Sequence, residues 1–564
     1  MEKTYTALTI GPIYKTIQSA RSTKAIWSAS YMFSWIMKEI IKRAGLNPNE
    51  IIIPYFNQND LNQFEKAGFY PDRIIYPGEI TNLKQIISNV IKELSIIISN
   101  DINVPAKRIE NFLEEYLRII PIEVNIEKGN VIEQVSEYLN ALELEEKIVS
   151  NECDDIRTTT DDEKHQWLIK FFEKYQDKDG NSEYNYFHRK AFTGKRFPST
   201  AEIAAAEFEG EDFYKEASRL IKRDAEDDQE KFYEKIKEGA GDRFRNYQKY
   251  ITVVQADGDN MGKLINEIYK SNPDLISIFS KKLLEFSKNA VELIDQYKGK
   301  TVYAGGDDLL FFAPVAHTGI IEEGNEENEI TDGIRKTIFT LINQLDELFN
   351  QIFLIDKFND HSEFANIINS LGDKKPSMSY GVSVSYYKFP LNEALEQAIN
   401  RLFYTAKKTC KKNAVSYAVL KHSGQYFGTT FHKHHDSYKL YNELLQQKVK
   451  DSRFVHSVAH KLEPLNGVIK TIGEIQDTGE RNNAFDNFFT NNFNESVHVR
   501  KGPDGTKRLI PFLEKVRDLF KAVYTENPVH SLPEAEKEKR HNDNLKKLYA
   551  ALRFIEFINN KQEY

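Results

Sequence analysis

Two acidic turns, with Asp257 and Asp307 50 positions apart, constrain this chain more than any other feature. The first closes the run Val253-Val254-Gln255-Ala256-Asp257-Gly258-Asp259-Asn260-Met261-Gly262. The second lies inside Thr301-Val302-Tyr303-Ala304-Gly305-Gly306-Asp307-Asp308-Leu309-Leu310-Phe311-Phe312. An apolar run that ends in Gly and Asp reads as a strand entering a tight turn. Between the turns, Leu283, Leu284, Phe286, Ala290, Val291, Leu293 and Ile294 mark the apolar face of a helix. The order is strand, helix, strand. If the strands are neighbours, Asp257, Asp307 and Asp308 converge on one spot. Like charges about 4 Å apart, at an effective dielectric near 20, cost roughly 4 kcal/mol per pair. A divalent cation reverses that sign, and oxygen-only donors suit Mg²⁺ or Mn²⁺. Such ions drive in-line attack on phosphate. Gly305 and Gly306 leave no side chain to block a phosphate. A solvated hairpin turn is the plainer alternative, since Gly and Asp are ordinary turn residues. A second acidic turn at this spacing argues against it.

A chain of 564 residues with 40% hydrophobic content is long enough for several domains with real cores. Cys153 and Cys410 are its only cysteines, which excludes a disulfide framework and a four-cysteine zinc site. A reducing cytoplasm is the expected location. No apolar run is long enough to cross a bilayer, and Met1–Thr6 is polar and charged, so neither a membrane span nor a secretory signal is expected. The net charge of −9, from 76 basic and 85 acidic residues, argues against a free-standing nucleic-acid binder. Two local basic patches stand out against it. One is His188-Arg189-Lys190 with Lys195-Arg196, interleaved with Phe187, Phe192 and Phe197; the other is Lys407-Lys408 with Lys411-Lys412. The first is either an RNA contact or a solvated face; for the second, its position after the second acidic turn matters more than its charge.

Four regions follow from the pattern. Residues 1–150 open with a strand, Ala7–Ile10, and a loop at Gly11 and Pro12. A helix follows, with Ile26, Ala29, Phe33, Ile36, Met37, Ile40 and Ile41 on its apolar face and Gly45 and Pro48 at its end. Ile51-Ile52-Ile53 reads as a buried strand. Residues 151–245 are charged and mostly helical, beginning with an acidic, Thr-rich linker at Asp154–Glu163. Residues 246–425 hold the acidic turns, with an exposed insertion at Ile320–Asp332. Residues 426–564 look all helical. There, Phe512, Leu513, Val516, Leu519, Phe520 and Val523 form one stripe, and Leu545, Leu548, Tyr549, Leu552, Ile555 and Phe557 form much of another.

Asp257-Gly258-Asp259-Asn260-Met261-Gly262, followed by Ala304-Gly305-Gly306-Asp307-Asp308-Leu309, resembles the palm of nucleotide cyclases and polymerases. More specifically, the chain resembles the large, polymerase/cyclase-like subunit of type III CRISPR effector complexes, Cmr type. Further markers occur in the family's order: Ile10-Gly11-Pro12-Ile13 before Ser19–Tyr31, Arg196–Ala204, Ser379–Val384, Pro390–Leu395, Ala406-Lys407-Lys408 and Lys412–Val415. The resemblance implies an α+β fold with two ferredoxin-like palms, a helical insert and a C-terminal helical bundle. The first palm would be catalytically silent and supply half of a nucleotide cleft. Asp257, Asp307 and Asp308 would then be catalytic and metal-binding. Gly305, Gly306, Asn260, Lys407, Ser379, Arg21 and Ser30 would face nucleotide, with Lys407 on the triphosphate. For Arg21, Ser28 and Ser30, polarity at a helix N-terminus is the alternative. Asp259 would hold the turn.

The implied chemistry is Mg²⁺- or Mn²⁺-dependent nucleotidyl transfer from ATP, giving cyclic oligoadenylate when a guide RNA pairs with a foreign transcript. Transfer of AMP to S-adenosylmethionine on the same site is one alternative, and a non-catalytic scaffold is another. Implied partners are a small helical subunit, a subunit that binds the guide-RNA end, and guide and target RNA through the complex. In the family an HD nuclease domain precedes the first palm. Here that palm begins near residue 5, so no such domain is expected, and His434-His435-Asp436 reads as a surface turn.

Overall fold

The computed structural model describes residues 3–127, 129–144, 161–174, 184–192, 196–221, 226–318, 335–354, 362–446, 461–462, 464–493 and 510–559. The insertion expected at Ile320–Asp332 lies outside them, as does the linker up to Thr160; Asp161–Glu163 opens a helix.

A first antiparallel sheet contains β1 (Lys3–Gly11), β2 (Arg73–Pro77) and β3 (Arg118–Ile126) in the order β2-β1-β3. Over it lies the helix Thr23–Ala44, buried on almost every side. Such burial suits a helix that is apolar nearly all round. Ser22 caps its start by accepting the Ala25 N–H, and Gly45 ends it at φ +61°, the conformation a C-terminal glycine supplies without strain. The expected strand at Ile51–Ile53 does not form. Ile53 makes a single bridge to Ile75, and Pro54, which has no N–H, stops the ladder there.

The second sheet contains β4 (Tyr250–Asp259), β5 (Lys300–Gly305), β6 (Asp308–Pro314), β9 (Ser377–Tyr386), β10 (Ala414–Leu420) and β11 (Tyr426–His432). Their order is β11-β10-β9-β4-β6-β5. A short antiparallel pair, β7 (Ala316–Thr318) and β8 (Arg335–Thr337), follows β6 in the chain. The path β4, helix Leu275–Gln296, β5-β6 hairpin, helix Ile338–Phe353, β9 is the ferredoxin-like palm. β10 and β11 extend it beyond β9. The region expected to be all helical from residue 426 therefore begins with a strand, because Tyr426–His432 pairs along the whole of β10.

β4 is rich in β-branched residues and buried on both faces, which is why it reads as a continuous apolar run. Ile251 and Val253, with Val302, Leu310 and Phe312, share a core with the helix Thr23–Ala44. Val254 and Ala256, with Leu309 and Phe311, belong to the other core, with the helices Leu275–Gln296 and Ile338–Phe353. The Ala304 N–H donates to the Gly68 carbonyl at 2.9 Å, a backbone link between the two sheets' units.

Three members of the first basic patch, His188, Arg189 and Arg196, are engaged internally, whereas Lys190 is exposed. Arg189 pairs with Asp101 at 3.0 Å, and His188 Nε2 accepts the Phe197 N–H at 2.6 Å. Phe187 and Phe197 are buried. Arg196 pairs with Glu202 and donates to the Ser218 and Ile221 carbonyls at 2.8 and 2.7 Å. Lys195 lies outside the described residues. In the same block, Ser199 and Glu202 form a reciprocal capping box at the start of Thr200–Ala204. After β11 come the helices Asp436–Gln446, Asn466–Gly473, Thr478–Asn492, Ile510–Glu526 and Glu534–Asn559. Both predicted stripes are largely buried there, except Tyr549, which is 42% exposed. His434 and His435 lie in a turn as predicted, but Asp436 opens the following helix and His435 is half-buried, 3.3 Å from Glu526. No helix among the described residues is long and apolar enough to cross a membrane.

Candidate active site between two palms

The antiparallel register of β4 and β6 brings the two acidic turns together. Ala256 pairs with Leu309, so Asp257, the next residue of β4, comes beside the point where Asp308 enters β6. Gly305 pairs with Asp308 across the hairpin, and Gly306 takes φ +69°. Gly258 permits the approach. A Cβ there would collide with the Asp307 carboxylate and stand 2.8 Å from Asp307 Cβ. Gly305 is small for a different reason than predicted. A Cβ would collide with the Tyr303 hydroxyl, so its missing side chain accommodates that ring and not a phosphate. Space beside Gly306 is open.

Burial, then the charge of Asp259, raises the Asp307 carboxyl to about 6. Burial, then Asp307 and Asp72, holds Asp308 well above the ordinary carboxylate range. Asp259 is fully buried and serves the turn, as predicted. Its Oδ2 accepts from Ser377 Oγ at 2.9 Å, Ser379 Oγ at 2.7 Å and the Asn413 N–H at 2.9 Å. Its Oδ1 has no hydrogen-bond partner. Ser379 is therefore not a nucleotide contact in this arrangement: it is buried, and its hydroxyl is committed to Asp259.

Lys407 reaches the site from a π-helical segment, Arg401–Thr409, a form that recurs at functional sites. Gly381 on β9 lets the preceding helix, Leu391–Asn400, pack against the sheet, since a Cβ would collide with the Ala398 carbonyl. Lys407 Nζ pairs with Asp257, donates to the Gly258 carbonyl at 3.0 Å and stands 3.9 Å from Asp259 Oδ1. Burial and the Lys412 charge lower it to about 7, against the pull of the Asp257 carboxylate it touches. Asn260, at φ +61°, donates to the Lys375 carbonyl at 3.2 Å and accepts from Lys412 Nζ at 3.2 Å.

Among the described residues, no three His, Cys, Asp or Glu side chains are grouped to hold a metal ion. The predicted convergence thus holds for the two turns but not for a closed carboxylate cluster. Lys407 holds Asp257, Asp307 leans on Gly258, and Asp308 faces a cavity. The donor chemistry nevertheless fits a hard cation. The carboxylates are oxygen donors, and the repulsion that raises Asp308 is one that a cation relieves.

That cavity, about 250 Å³, lies between the palms. Ile10, Tyr14, Ser30 and Asp72 line it from the first, and Gln255, Tyr303 and Asp308 from the second. Ser30, expected to face nucleotide, lines the cavity. Arg21, with the same expectation, does not: its side chain is exposed, and its backbone N–H donates to Glu173 at 3.3 Å. Ser28 is buried and accepts from Asn185 at 2.8 Å, a packing role. Sequence reasoning missed Asp72 and Tyr303. Asp72 belongs to no acidic pattern. Tyr303 owes its place to a bulge between Thr301 and Tyr303, which re-aims a side chain.

The family model described as Cas10/Cmr2, second palm domain, matches residues 250–416. The N-terminal model of CRISPR-associated protein Cmr2 matches residues 5–117. Over 235 residues the chain is 27% identical to the CRISPR system Cmr subunit Cmr2 of Pyrococcus furiosus, an alignment spanning 37% of this chain and 23% of that relative. Among solved structures, a chain of the type III-B Cmr-beta complex in its apo state has a TM-score of 0.52 at 12% identity, covering 94% of this chain and 82% of that one. A chain of Cmr-beta bound to cognate target RNA gives 0.50 at 12% identity, with coverage of 92% and 80%. At such identities the likeness concerns the fold. With both models matched in order along it, the chain carries a Cmr2-type N-terminal domain followed by a Cas10/Cmr2 second palm domain.

Proposed function

We propose that this chain is a metal-dependent nucleotidyltransferase that makes a nucleotide second messenger from ATP when its RNA-guided complex engages target RNA. One observation supports the reading most: the β4–β6 register carries Asp257 to the start of β6, where Asp308 opens into the cavity between the palms. A divalent cation held by Asp257, Asp307 and Asp308 would supply positive charge for the triphosphate and lower the pKa of an attacking hydroxyl. The chain's own groups do the rest. Asp259 fixes the turn through its three hydrogen bonds. Lys407, paired with Asp257 here, becomes available to a triphosphate once a cation takes that carboxylate. Gly306 leaves the hairpin tip open. The product we favour is cyclic oligoadenylate. The partners are the other subunits of a type III complex, including a small helical subunit and one at the guide-RNA end, with guide and target RNA bound through them.

The test is a product assay on the assembled complex, with guide and target RNA, Mg²⁺ or Mn²⁺ and labelled ATP, with and without S-adenosylmethionine, read by mass. Adenylate oligomers from ATP alone are the expected result. A product that requires S-adenosylmethionine keeps the site and changes the acceptor. No product in either condition leaves a scaffold.

A further inference from the structure

The loop that joins the π-helical segment to β10 has an unusual backbone. Lys411, Lys412 and Asn413 lie in succession at φ +61°, +80° and +47°. Non-glycine residues enter the left-handed region singly, because Cβ crowds the following carbonyl. Asn tolerates it better than most residues, and Lys has no such allowance. Three in a row persist only where surrounding contacts impose them.

Those contacts point at the first acidic turn. The Asn413 N–H donates to Asp259 Oδ2 at 2.9 Å, and Lys412 Nζ donates to Asn260 Oδ1 at 3.2 Å. Behind them the loop is tied down on two sides. The Lys412 N–H donates to the Ala406 carbonyl at 3.0 Å, and the Lys433 N–H to the Asn413 carbonyl at 3.0 Å. The other two donors to Asp259, Ser377 and Ser379, come from β9, the strand paired with β4. Asn413 holds the same oxygen from outside that pair. An amide aimed at a buried carboxylate is a charge-assisted hydrogen bond, stronger than a neutral one.

We infer that Lys411–Asn413 is a positioning clamp. It fixes Asp259 and Asn260 from beyond the strand pair and so sets where Asp257 stands against Asp308. Its bearing on catalysis rests on the nucleotidyl-transfer reading, whereas the clamp itself rests on the loop's backbone and its hydrogen bonds to Asp259 and Asn260.

The test compares Asn413→Val with Asn413→Gly in the full-length chain. Both lose the Asn side chain, including its 3.5 Å contact with His434 Nδ1, so their difference isolates the backbone. Valine resists positive φ, whereas glycine adopts it and keeps the amide in place. Amide hydrogen exchange over residues 257–262 is expected to quicken by about tenfold in the valine variant, the loss of one charge-assisted hydrogen bond, and to stay near wild type in the glycine variant. In the product assay, Asn413→Val lowers kcat with little change in KM for ATP, and Asn413→Gly restores it. Wild-type exchange in the valine variant, or equal loosening in both, overturns the clamp. If wild type makes no product, the catalytic reading falls and the exchange comparison still decides the clamp. Should Asn413→Val not fold, Asn413→Ala, which brings a single Cβ, is expected to fall between wild type and tenfold, and wild-type exchange there overturns the proposal equally.

Discussion

At the scale of single residues, the site sets Asp307 and Asp308 against each other while Lys407 holds Asp257. Asp307→Ala with Asp308→Ala is expected to abolish product while leaving assembly with the other subunits intact, measured by mass and by co-purification. Gly258 is the residue on which the two turns meet, so Gly258→Ala should cost about 1–3 kcal/mol through overpacking against Asp307 and remove activity with it, read from urea midpoints and the product assay. The raised carboxyl of Asp307 has a pH signature. The folded chain holds that proton up to about 6 and the unfolded chain only to about 3.8, so stability falls as pH rises through that window. Asp307→Asn lacks this step, and its urea midpoint should decline less than that of wild type between about pH 4 and about pH 7. Most of these charges were legible in the sequence, because Gly-Asp turns at strand ends have a pattern. Asp72 was not, since a lone carboxylate after a proline has none.

At the scale of elements, the helices and the central strands followed from periodicity. The helix with Ile26 and Ile41 formed but is buried on nearly every side, and the one with Phe286 and Ile294 formed with most of the expected face toward the core. What periodicity could not give was which strands pair. Ile51–Ile53 has the composition of a strand and lacks a partner beyond Ile75; β11 has mixed composition and becomes a strand because β10 offers an edge. Nor does any spacing rule announce the π-helical segment that delivers Lys407. Its seating on β9 depends on Gly381. Gly381→Ala would push the Ala398 carbonyl and Leu402 off the sheet, with an expected loss of about 1–3 kcal/mol and of activity, again from urea midpoints and product yield.

At the scale of the whole molecule, the two palms are not independent bodies joined by a linker. Val302, Leu310 and Phe312 of the second sheet share a core with Phe33 and Met37 of the first palm's helix, and Gly68 bonds to Ala304. Calorimetry should therefore show the palms unfolding in one transition; two resolved transitions would refute the shared core. This joint construction was only partly visible in the sequence, which marked a first palm and a cleft but not how much of the core the two hold in common.

The doubly buried strand β4 has one more consequence. A strand on a sheet surface drifts at every second position, because half of its side chains meet only water. Along Ile251, Thr252, Val253 and Val254 there is no such lenient half, so random replacement should be as poorly tolerated at odd as at even positions. The stretch leading into Asp257 is a slow clock within its own gene, held still by packed neighbours on both sides.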